Sequence, residues 1–294
     1  MKVKHEDILS RITNGPVIVV DGAMGTMLQA AGLSAGTSPE GWLLENPAPI
    51  CAVHRAYIEA GADMILSCTF GGTRVRLERA GLAERVAEVN RRAVEIAREA
   101  AGDRAYVAGD IGPLGKLLAP LGTLTYEQAV DVFTEQARAL AEAGVDVLYI
   151  ETMSDLNEMR AAVQAARHAG LGIPIFATMS FDRHGRTNMG VRPEEAAEAL
   201  LSLKVSAFGA NCGATLEMTE GALAKMHETA PQVPLVVKPN AGKPHLEGRE
   251  VVYDATPEDM AEYARRFVAL GARVVGACCG SRPAHIAANA QALK

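Results

Sequence analysis

The sequence predicts an α/β fold, a single (β/α)8 TIM barrel that comprises residues 1–294. Two patterns predict it: eight short apolar runs, and between them longer amphipathic stretches whose apolar residues recur at three- and four-residue spacing. Strands that are joined by helices must be parallel, and eight such units favour a closed barrel over an open sheet. No linker, low-complexity tract or charge block divides the chain. We therefore expect one domain, with its functional site at the C-terminal ends of the strands.

The eight predicted strands are rich in β-branched and other apolar residues, which is typical of strands buried on both faces. They are residues 17–20, 64–68, 105–109, 145–150, 173–178, 205–210, 235–238 and 273–277. The second, fourth and eighth of these runs follow the phrases Glu-Ala-Gly-Ala-Asp, Glu-Ala-Gly-Val-Asp and Leu-Gly-Ala-Arg. The glycine in each phrase supplies the left-handed cap that ends one helix before the next strand begins.

The predicted helices between these strands include residues 83–101, 126–143, 156–169 and 257–270. Thr125 and Thr256 are the expected N-caps of two of them, with Glu127 and Glu258 in the first turn. Segment 30–49, which follows the first strand, is rich in Gly, Ser and Pro. We interpret it as a long loop that could form part of a lid.

The bulk composition argues against nucleic-acid and membrane partners. The chain has 29 basic and 35 acidic residues and a formal net charge of −6, which gives no support for binding nucleic acid or an anionic membrane. The sequence has no run of about 18 apolar residues, and its charged N-terminus lacks the apolar segment of a signal peptide. Five cysteines, two of them adjacent, make a poor disulfide framework. We therefore expect a protein of the reducing cytoplasm.

Three cysteines form the most informative pattern in the chain. Cys212 ends an apolar run in Ala-Asn-Cys-Gly, and Cys278 and Cys279 end another in Gly-Ala-Cys-Cys-Gly. Three thiols at the ends of two strands predict a zinc site with three protein ligands. A structural zinc is usually closed by four protein ligands, whereas a catalytic zinc keeps one position open. The count therefore indicates catalysis, and the soft thiolate set suggests that the open position takes a sulfur.

Polar residues follow most of the predicted strands, where the active sites of barrel enzymes lie. Asp21 and Glu151 follow the first and fourth strands, and we interpret them as a site for a ligand's amino group. The turn Asp21-Gly-Ala-Met-Gly-Thr carries backbone N–H groups that could bind a carboxylate. The other polar residues at strand ends are Thr69, Asp110, Thr152, Asn211, Lys238 and Asn240.

Simpler explanations compete with function at several positions. Asp21 could be only a helix N-cap, and Glu151 could be the buried partner of an arginine. Cys51 and Cys68 are interpreted as core residues, and Trp42 either contacts a cationic ligand or packs at a rim. The groups interpreted as solvated are His184, His245, His285 and an arginine-rich helix face in residues 74–92.

In combination, these motifs resemble the zinc-dependent homocysteine S-methyltransferase family over essentially the whole chain. The resemblance rests on Asp21-Gly-Ala-Met-Gly-Thr, Thr69-Phe-Gly, Glu151-Thr, Asn211-Cys-Gly, Lys238-Pro-Asn-Ala-Gly and Gly276-Ala-Cys-Cys-Gly. The Pro-Asn-Ala-Gly motif and residues 70–77 are most similar to the cobalamin-linked branch, the homocysteine-binding module of methionine synthase. One departure is Cys68, which stands where that branch commonly has asparagine.

The resemblance implies a role for each matching residue. Cys212, Cys278 and Cys279 match the family's zinc thiolates. Asn240 matches an asparagine that occupies the fourth zinc position until homocysteine displaces it. Asp21 and Glu151 match the acids that hold the substrate's α-amino group. The remaining substrate-binding matches, of which the first four form the turn that receives the carboxylate, are Gly22, Ala23, Met24, Gly25, Thr69 and Phe70.

The resemblance also implies the activity. We expect a zinc-dependent enzyme that transfers a methyl group to the thiol of L-homocysteine and so forms methionine. The expected donor is a methylcorrinoid, such as methylcobalamin, on a separate carrier protein or domain. The carrier must be separate because the sequence contains no Asp-x-His-x-x-Gly cobalamin signature.

Three alternatives stay open from the sequence. The donor could be S-methylmethionine, S-adenosylmethionine or a betaine. The chain could instead be a non-catalytic zinc-binding subunit that docks a corrinoid carrier. A hydrolase that uses the carboxylates of Asp110 and Glu151 is compatible with the fold, but it leaves the three cysteines unexplained.

Overall fold

The strands form a barrel in nearly their chain order. The computed structural model describes residues 7–34, 36–169, 172–213, 215–248 and 250–294. Its strands are β1 (Ile18–Val19), β2 (Met64–Leu66), β3 (Tyr106–Ile111), β4 (Val147–Met153), β5 (Ile175–Met179), β6 (Ala207–Cys212), β7 (Leu235–Pro239), β8 (Pro244–Glu247), β9 (Glu250–Tyr253) and β10 (Ala272–Val275). Eight of them form one sheet in the order β1-β10-β7-β6-β5-β4-β3-β2. All neighbouring pairs in that sheet are parallel.

The sheet closes on itself between β1 and β2. Val20 and Met64 form a parallel bridge. The N–H of Asp21 donates to the carbonyl oxygen of Met64 at 3.0 Å, and the N–H of Asp63 donates to that of Val19 at 2.7 Å. These contacts join the two edge strands, and the prediction of an eight-stranded parallel barrel is confirmed.

Helices surround the barrel and connect its strands. They are α1 (Ile8–Asn14), α2 (Gly25–Ala30), α3 (Pro39–Glu45), α4 (Pro47–Glu59), α5 (Arg74–Leu77), α6 (Val86–Ala101), α7 (Tyr126–Glu142), α8 (Leu156–His168), α9 (Pro193–Ser202), α10 (Leu216–Thr229), α11 (Pro257–Ala269) and α12 (Pro283–Leu293). Thr125 and Thr256 cap α7 and α11 with capping boxes, as their positions predicted. Within the described ranges, the structure has no helix that is long and apolar enough to cross a membrane.

The barrel interior is filled with side chains. Val20, Met64, Tyr149 and Phe176 belong to one buried cluster inside the strands, and the rings of Tyr149 and Phe176 meet edge to face at 6.2 Å. Helix α1 adds its own buried isoleucines to this cluster, and Arg273 Nε on β10 donates to the carbonyl oxygen of α1 residue Ile12 at 3.0 Å. Because side chains fill the interior, a ligand can enter only at the C-terminal ends of the strands.

Two segments differ from the sequence prediction. Segment 30–49, interpreted as a long loop, contains helix α3 and the start of α4. Pro39 and Pro47 are the first residues of these helices, a position that suits proline because its missing N–H would have no partner there. The second difference is an antiparallel hairpin, β8–β9, which follows β7 and was not predicted.

Candidate active site

The three predicted zinc cysteines lie together. Cys212 ends β6, and Cys278 and Cys279 follow β10, and both strands are neighbours of β7 in the sheet. Their sulfur atoms all lie within 4.8 Å of one another. In the part of the chain that the structure describes, this is the one cluster of three or more His, Cys, Asp or Glu side chains close enough to hold a metal ion.

The backbone around Cys212 is held by side-chain hydrogen bonds. Cys212 adopts a φ of +58° and Thr152 a φ of +62°, which are unusual values for residues other than glycine. Asn211 Oδ1 accepts from the Thr152 N–H at 2.8 Å and from Thr178 Oγ1 at 2.7 Å. Asn211 Nδ2 donates to Thr152 Oγ1 at 2.7 Å. These bonds join the ends of β4, β5 and β6 and fix the direction in which Cys212 leaves its strand.

The other two cysteines are fixed to the end of β7. The N–H of Cys278 donates to the carbonyl oxygen of Pro239 at 2.7 Å, and the N–H of Ala241 donates to that of Cys279 at 3.0 Å. Asn240 lies between these two bonds. Its Nδ2 donates to the carbonyl oxygen of Gly213 at 2.8 Å, whereas its buried Oδ1 has no hydrogen-bond partner among the described residues.

The electrostatics of the thiols favour a bound cation. A hydrogen bond with Cys212, together with burial, raises the pKa of Cys278 well above its ordinary value. At Cys212 the hydrogen bond with Cys278 lowers the pKa, but that with Cys279 and burial outweigh it and raise the pKa to about 11. At Cys279 the bond with Cys212 lowers the pKa, but the bond with Cys278, the charge of Cys278 and burial together outweigh it and raise the pKa to about 12. Because thiols are metal ligands only as thiolates, this set needs a cation to ionise at neutral pH. Three sulfurs and one unpaired amide oxygen fit zinc.

The two predicted amine-binding acids lie in the same pocket and share a lysine. Lys238 Nζ lies 3.2 Å from Asp21 Oδ1 and 3.7 Å from Glu151 Oε2. Asp21 Oδ2 accepts from the N–H of Leu66 at 2.8 Å, whereas Glu151 Oε2 is buried without a hydrogen bond to any described residue. Burial raises the pKa of both acids, and Lys238 opposes that rise. Burial alone lowers the pKa of Lys238, but Asp21 and Glu151 reverse the effect and raise it.

The turn after β1 is positioned by two buried hydroxyl groups. The N–H of Ala23 donates to Ser281 Oγ at 2.9 Å, and the hydroxyl of Tyr57 donates to the carbonyl oxygen of Ala23 at 2.8 Å. The N–H groups of Met24 and Gly25 donate to no other residue in the described ranges. They are therefore free to donate to a ligand, and carboxylate binding by this turn stays a prediction.

Thr69 and Phe70, both predicted to bind substrate, occupy different places. Phe70 lines the pocket. Thr69 is completely buried and does not line the pocket, and its Oγ1 donates to the carbonyl oxygen of Asp110 at 2.7 Å. Thr69 therefore stabilises the C-terminal end of β3 and does not itself line the pocket. Asp110 does line the pocket, and burial together with the charge of Glu151 raises its pKa well above the ordinary value.

The pocket is large and changes in character from its buried end to its mouth. Its volume is about 780 Å³. At the buried end lie the acid pair and Lys238, with the partly buried cysteines beside them. Partly or fully exposed residues also line the pocket, and we call five of their side chains the mouth: Gln29, Trp42, Glu45, Arg76 and Arg79. Helix α3 of segment 30–49 is joined to the loop after β2, because Glu40 Oε1 accepts a hydrogen bond from the Gly71 N–H at 2.5 Å; the lid interpretation of this segment stays a prediction.

Other sequence interpretations have mixed outcomes. Cys51 and Cys68 are buried as expected, although Cys68 also lines the pocket. His184 and His245 are exposed. His285 was predicted to be solvated, and this is wrong: it is 8% exposed. Its Nδ1 accepts from the Arg282 N–H at 3.0 Å and its Nε2 lies 3.1 Å from the carbonyl oxygen of Ala255.

Sequence reasoning missed the roles of Lys238 and Arg76. Lys238 stood among the polar residues at strand ends, and a lysine that ends a buried strand near two predicted acids was a usable signal. Arg76 was assigned to a solvated helix face, yet it lines the pocket and its guanidinium lies over the Phe70 ring at 5.6 Å.

Known proteins resemble this chain over nearly its full length. A family model described as homocysteine S-methyltransferase matches residues 18–293. The chain is 35% identical to methionine synthase of Mycobacterium tuberculosis, with 98% of this chain and 25% of that protein covered. It is 34% identical to methionine synthase of Mycobacterium leprae, with 94% and 24% covered. The chain thus spans about a quarter of the length of these relatives.

Solved structures give a matching picture. The homocysteine methyltransferase MmuM from Escherichia coli, in its metallated form, is 28% identical and superposes with a TM-score of 0.81. That match covers 97% of this chain and 99% of the other. The apo form of the same protein superposes with a TM-score of 0.73 at 25% identity.

Proposed function

We propose that this chain, which belongs to the homocysteine S-methyltransferase family, transfers a methyl group to the thiol of L-homocysteine and so forms methionine. The observation that carries the proposal is the joint placement of three thiols, all within 4.8 Å of one another, and a buried acid pair in one pocket. The thiols suit a ligand's sulfur through a shared metal ion, and the acids suit its amino group. A thiol amino acid carries both groups.

The metal in this proposal is zinc, held by Cys212, Cys278 and Cys279. The unpaired Oδ1 of Asn240 is the proposed fourth ligand in the absence of substrate. When bound, zinc supplies the positive charge that keeps a substrate sulfur in its nucleophilic thiolate form.

The residues of the chain then bind and orient the amino acid. Glu151 Oε2, which has no hydrogen bond of its own, accepts one from the α-ammonium group together with Asp21. The free N–H groups of Met24 and Gly25 receive the carboxylate. Because the amino and carboxylate groups are both bound, the sulfur is held in one orientation. Fixing the geometry of the reactants in this way can lower the activation barrier by about 7–11 kcal/mol in favourable cases.

The chemical step is a displacement at the methyl carbon. A lone pair of the substrate sulfur forms the new carbon–sulfur bond while the bond between the methyl group and the donor breaks. The electron pair of the broken bond stays with the donor. The thiol proton leaves to solvent when the substrate binds, so no general base is needed during transfer.

The proposed donor is a methylcorrinoid held by another domain or subunit. Support comes from the motif at residues 70–77 and from the methionine synthase relatives, of whose length this chain spans about a quarter. A sulfonium donor is the second candidate. It is favoured by Trp42 and Glu45 at the mouth, because an aromatic face and a carboxylate suit a cation.

The test is a zinc-loaded assay with L-homocysteine and free methylcobalamin that follows the corrinoid absorbance and methionine formation. We expect demethylation that requires both zinc and homocysteine. The same protein is then offered S-methyl-L-methionine and S-adenosylmethionine, which decides between donor classes. If no donor yields methionine and homocysteine does not bind the zinc-loaded protein, the proposed function is wrong.

A further inference from the structure

Arg76 presents an unpaired guanidinium group to the pocket. It lies on α5, which begins after the N-cap Thr73, and it is half-buried. Its guanidinium makes no ion pair and donates no hydrogen bond to any residue that the structure describes. An arginine has five N–H donors in a planar fork, and leaving all of them unused at a pocket wall suggests that a ligand takes them.

The neighbouring arginine of the same helix behaves differently. Arg74 Nε and Nη2 donate to the two carboxylate oxygens of Glu135 at 3.0 and 2.7 Å, and Nη1 donates to Glu84 at 2.8 Å. Arg74 thus forms ion pairs with two acidic side chains of the protein. The short helix α5 therefore directs one arginine to partners on the protein and the other to the pocket.

The guanidinium of Arg76 is held in place although it has no polar partner. On one side it lies over the ring of Phe70, 5.6 Å from the centroid. Gly115 also lies close to it: this residue has a φ of +70°, and a Cβ at this position would stand 2.7 Å from Arg76 Nη1. The positive φ is a conformation that glycine adopts without strain. The guanidinium thus packs against an aromatic ring and a glycine without using its N–H donors.

Glu158, an acid that could compete for Arg76, already has a hydrogen-bond partner. Glu158 on α8 interacts with Arg76 through its charge, but its Oε1 accepts from the Leu114 N–H at 2.7 Å. It forms no ion pair with Arg76. Glu158 therefore holds the loop that carries Gly115, and the guanidinium stays free.

The pocket has room for a second ligand group near Arg76. Its volume of about 780 Å³ falls within the range of roughly 300–1,000 Å³ that suits drug-sized ligands, whereas homocysteine is a four-carbon amino acid. Of the groups proposed to bind homocysteine, the acid pair lies at the buried end, whereas Arg76 and Arg79 belong to the mouth. What approaches the homocysteine sulfur from the mouth is the methyl donor.

We propose that Arg76 forms an oxyanion subsite at the mouth, which binds the carboxylate group of a sulfonium methyl donor. The identification of the ligand as the donor rests on the proposed function. The planar fork can receive two oxygens of one anion at once, which a lysine cannot do. Such a carboxylate belongs to an amino-acid sulfonium, for example S-methyl-L-methionine.

The chain offers a direct probe, because Trp42 is its single tryptophan and lines the same pocket. Trp42 fluorescence is followed while the protein is titrated with inorganic phosphate or with S-methyl-L-methionine, at constant ionic strength maintained with chloride. The variants are Arg76→Met, Arg76→Lys and the control Arg265→Met. Arg265 is exposed, has no partner among the described residues and lies outside the pocket.

We expect saturable binding by the wild type and a loss of about tenfold or more in Arg76→Met, since charge-assisted hydrogen bonds are lost. Arg76→Lys should recover part of the affinity because it keeps the charge without the fork, and Arg265→Met should bind like the wild type. Arg76-dependent binding of S-methyl-L-methionine supports a donor carboxylate at this subsite, whereas Arg76-dependent binding of phosphate alone indicates an anion site that the sulfonium donor does not use and contradicts the proposal. Binding of neither probe, or equal binding by wild type and Arg76→Met, overturns the subsite.

A separate titration with L-homocysteine keeps the two proposals apart. Arg76→Met should bind homocysteine as the wild type does, because the cation that pairs with the two acids is Lys238 and not Arg76. Arg76-dependent anion binding by a zinc-loaded protein that binds no homocysteine and forms no methionine with any donor would contradict the proposed function and leave the subsite standing. Methionine formation with full activity in Arg76→Met would do the reverse.

Discussion

The ammonium group of Lys238 lies 3.2 Å from Asp21 Oδ1, and the two side chains are 4% and 3% exposed. The same ammonium lies 3.7 Å from Glu151 Oε2 and 5.6 Å from the centre of the Tyr149 ring. Two ionised acids and one lysine leave a net charge of −1 in a buried site. The single ammonium group of an amino acid neutralises that charge. Lys238 therefore allows two buried acids to bind a ligand that has only one positively charged group.

Replacement of Lys238 should therefore destabilise the fold strongly. Lys238→Met leaves two buried carboxylates without a cation, and breaking a buried pair in this way costs about 3–5 kcal/mol. The control is Lys116→Met, whose ion pair with Glu78 is exposed and should contribute under about 1 kcal/mol. Urea unfolding of both variants measures the difference. Equal losses in the two would show that Lys238 does not carry the charge balance of the site.

The barrel and its cysteines could be predicted because their signals are local. An apolar run that ends in Asn211 and Cys212 indicates a strand and its chemistry in one segment, and β6 indeed ends at Cys212. The capping residue Thr125 fixed the start of α7 in the same way. In each case a few adjacent residues decide the structure.

The contacts that the sequence did not reveal join distant segments. Lys238 and Asp21 are separated by 217 positions in the sequence. They meet because β1 and β7 are both neighbours of β10 in the barrel, so the ends of all three strands lie together. His285 follows Arg282 as the third residue of α12, where the usual capping residue is glutamate or glutamine. No pattern in residues 74–92 distinguishes Arg76 from the solvated arginines, because its environment is supplied by Gly115 from another loop.

Glu151→Gln should weaken the binding of homocysteine and spare analogues without an amino group. Gln keeps the size of the side chain but removes the charge that attracts the α-ammonium, and a hydrogen bond to a charged group is worth about 1.5–3 kcal/mol. Calorimetric titration of the zinc-loaded protein should show about a tenfold or greater loss for L-homocysteine. For 4-mercaptobutanoate, which lacks the amino group, wild type and variant should bind alike. A similar loss for both ligands would assign Glu151 to the metal site or to folding.

Gly22→Ala should disturb the turn that is proposed to receive the carboxylate. A Cβ at residue 22 would lie 2.4 Å from Ser281 Oγ and 2.8 Å from the Tyr57 hydroxyl, the two groups that hold Ala23. Such overpacking typically costs about 1–3 kcal/mol, so we expect both a lower unfolding midpoint and weaker homocysteine binding. Gly25→Ala is the matched control for stability, because a Cβ there meets no atom within 4 Å. A Gly22→Ala protein as stable as Gly25→Ala would mean that the turn tolerates the shift.

Removal of one thiol should remove the metal. Cys279→Ser leaves two sulfur ligands, and the zinc content after dialysis against a mild chelator should fall far below that of the wild type. The control is Cys51→Ser, because Cys51 is buried outside the pocket and its thiol only approaches Glu99 at 3.8 Å. Elemental analysis of both proteins gives the answer. Full zinc content in Cys279→Ser would rule out the assigned ligand set.

Glu158 should make the fold less stable as the pH rises from about 5 to 7. The side chain is 7% exposed, and burial, opposed by the Leu114 N–H, raises its pKa from 4.5 to about 7. Between these values the folded protein keeps a proton that the unfolded chain has lost. The contribution to stability is thus complete below pH 4.5 and is lost by about pH 7, an effect of roughly 3 kcal/mol.

Glu158→Gln has no such proton and still offers an oxygen to Leu114, so its urea midpoint should fall less over this range than that of the wild type. The exposed Glu59→Gln variant controls for the loss of a carboxyl group, and its urea midpoint should change with pH as that of the wild type does. If the urea midpoints of Glu158→Gln and the wild type change in parallel with pH, Glu158 is already ionised in the folded protein at pH 5.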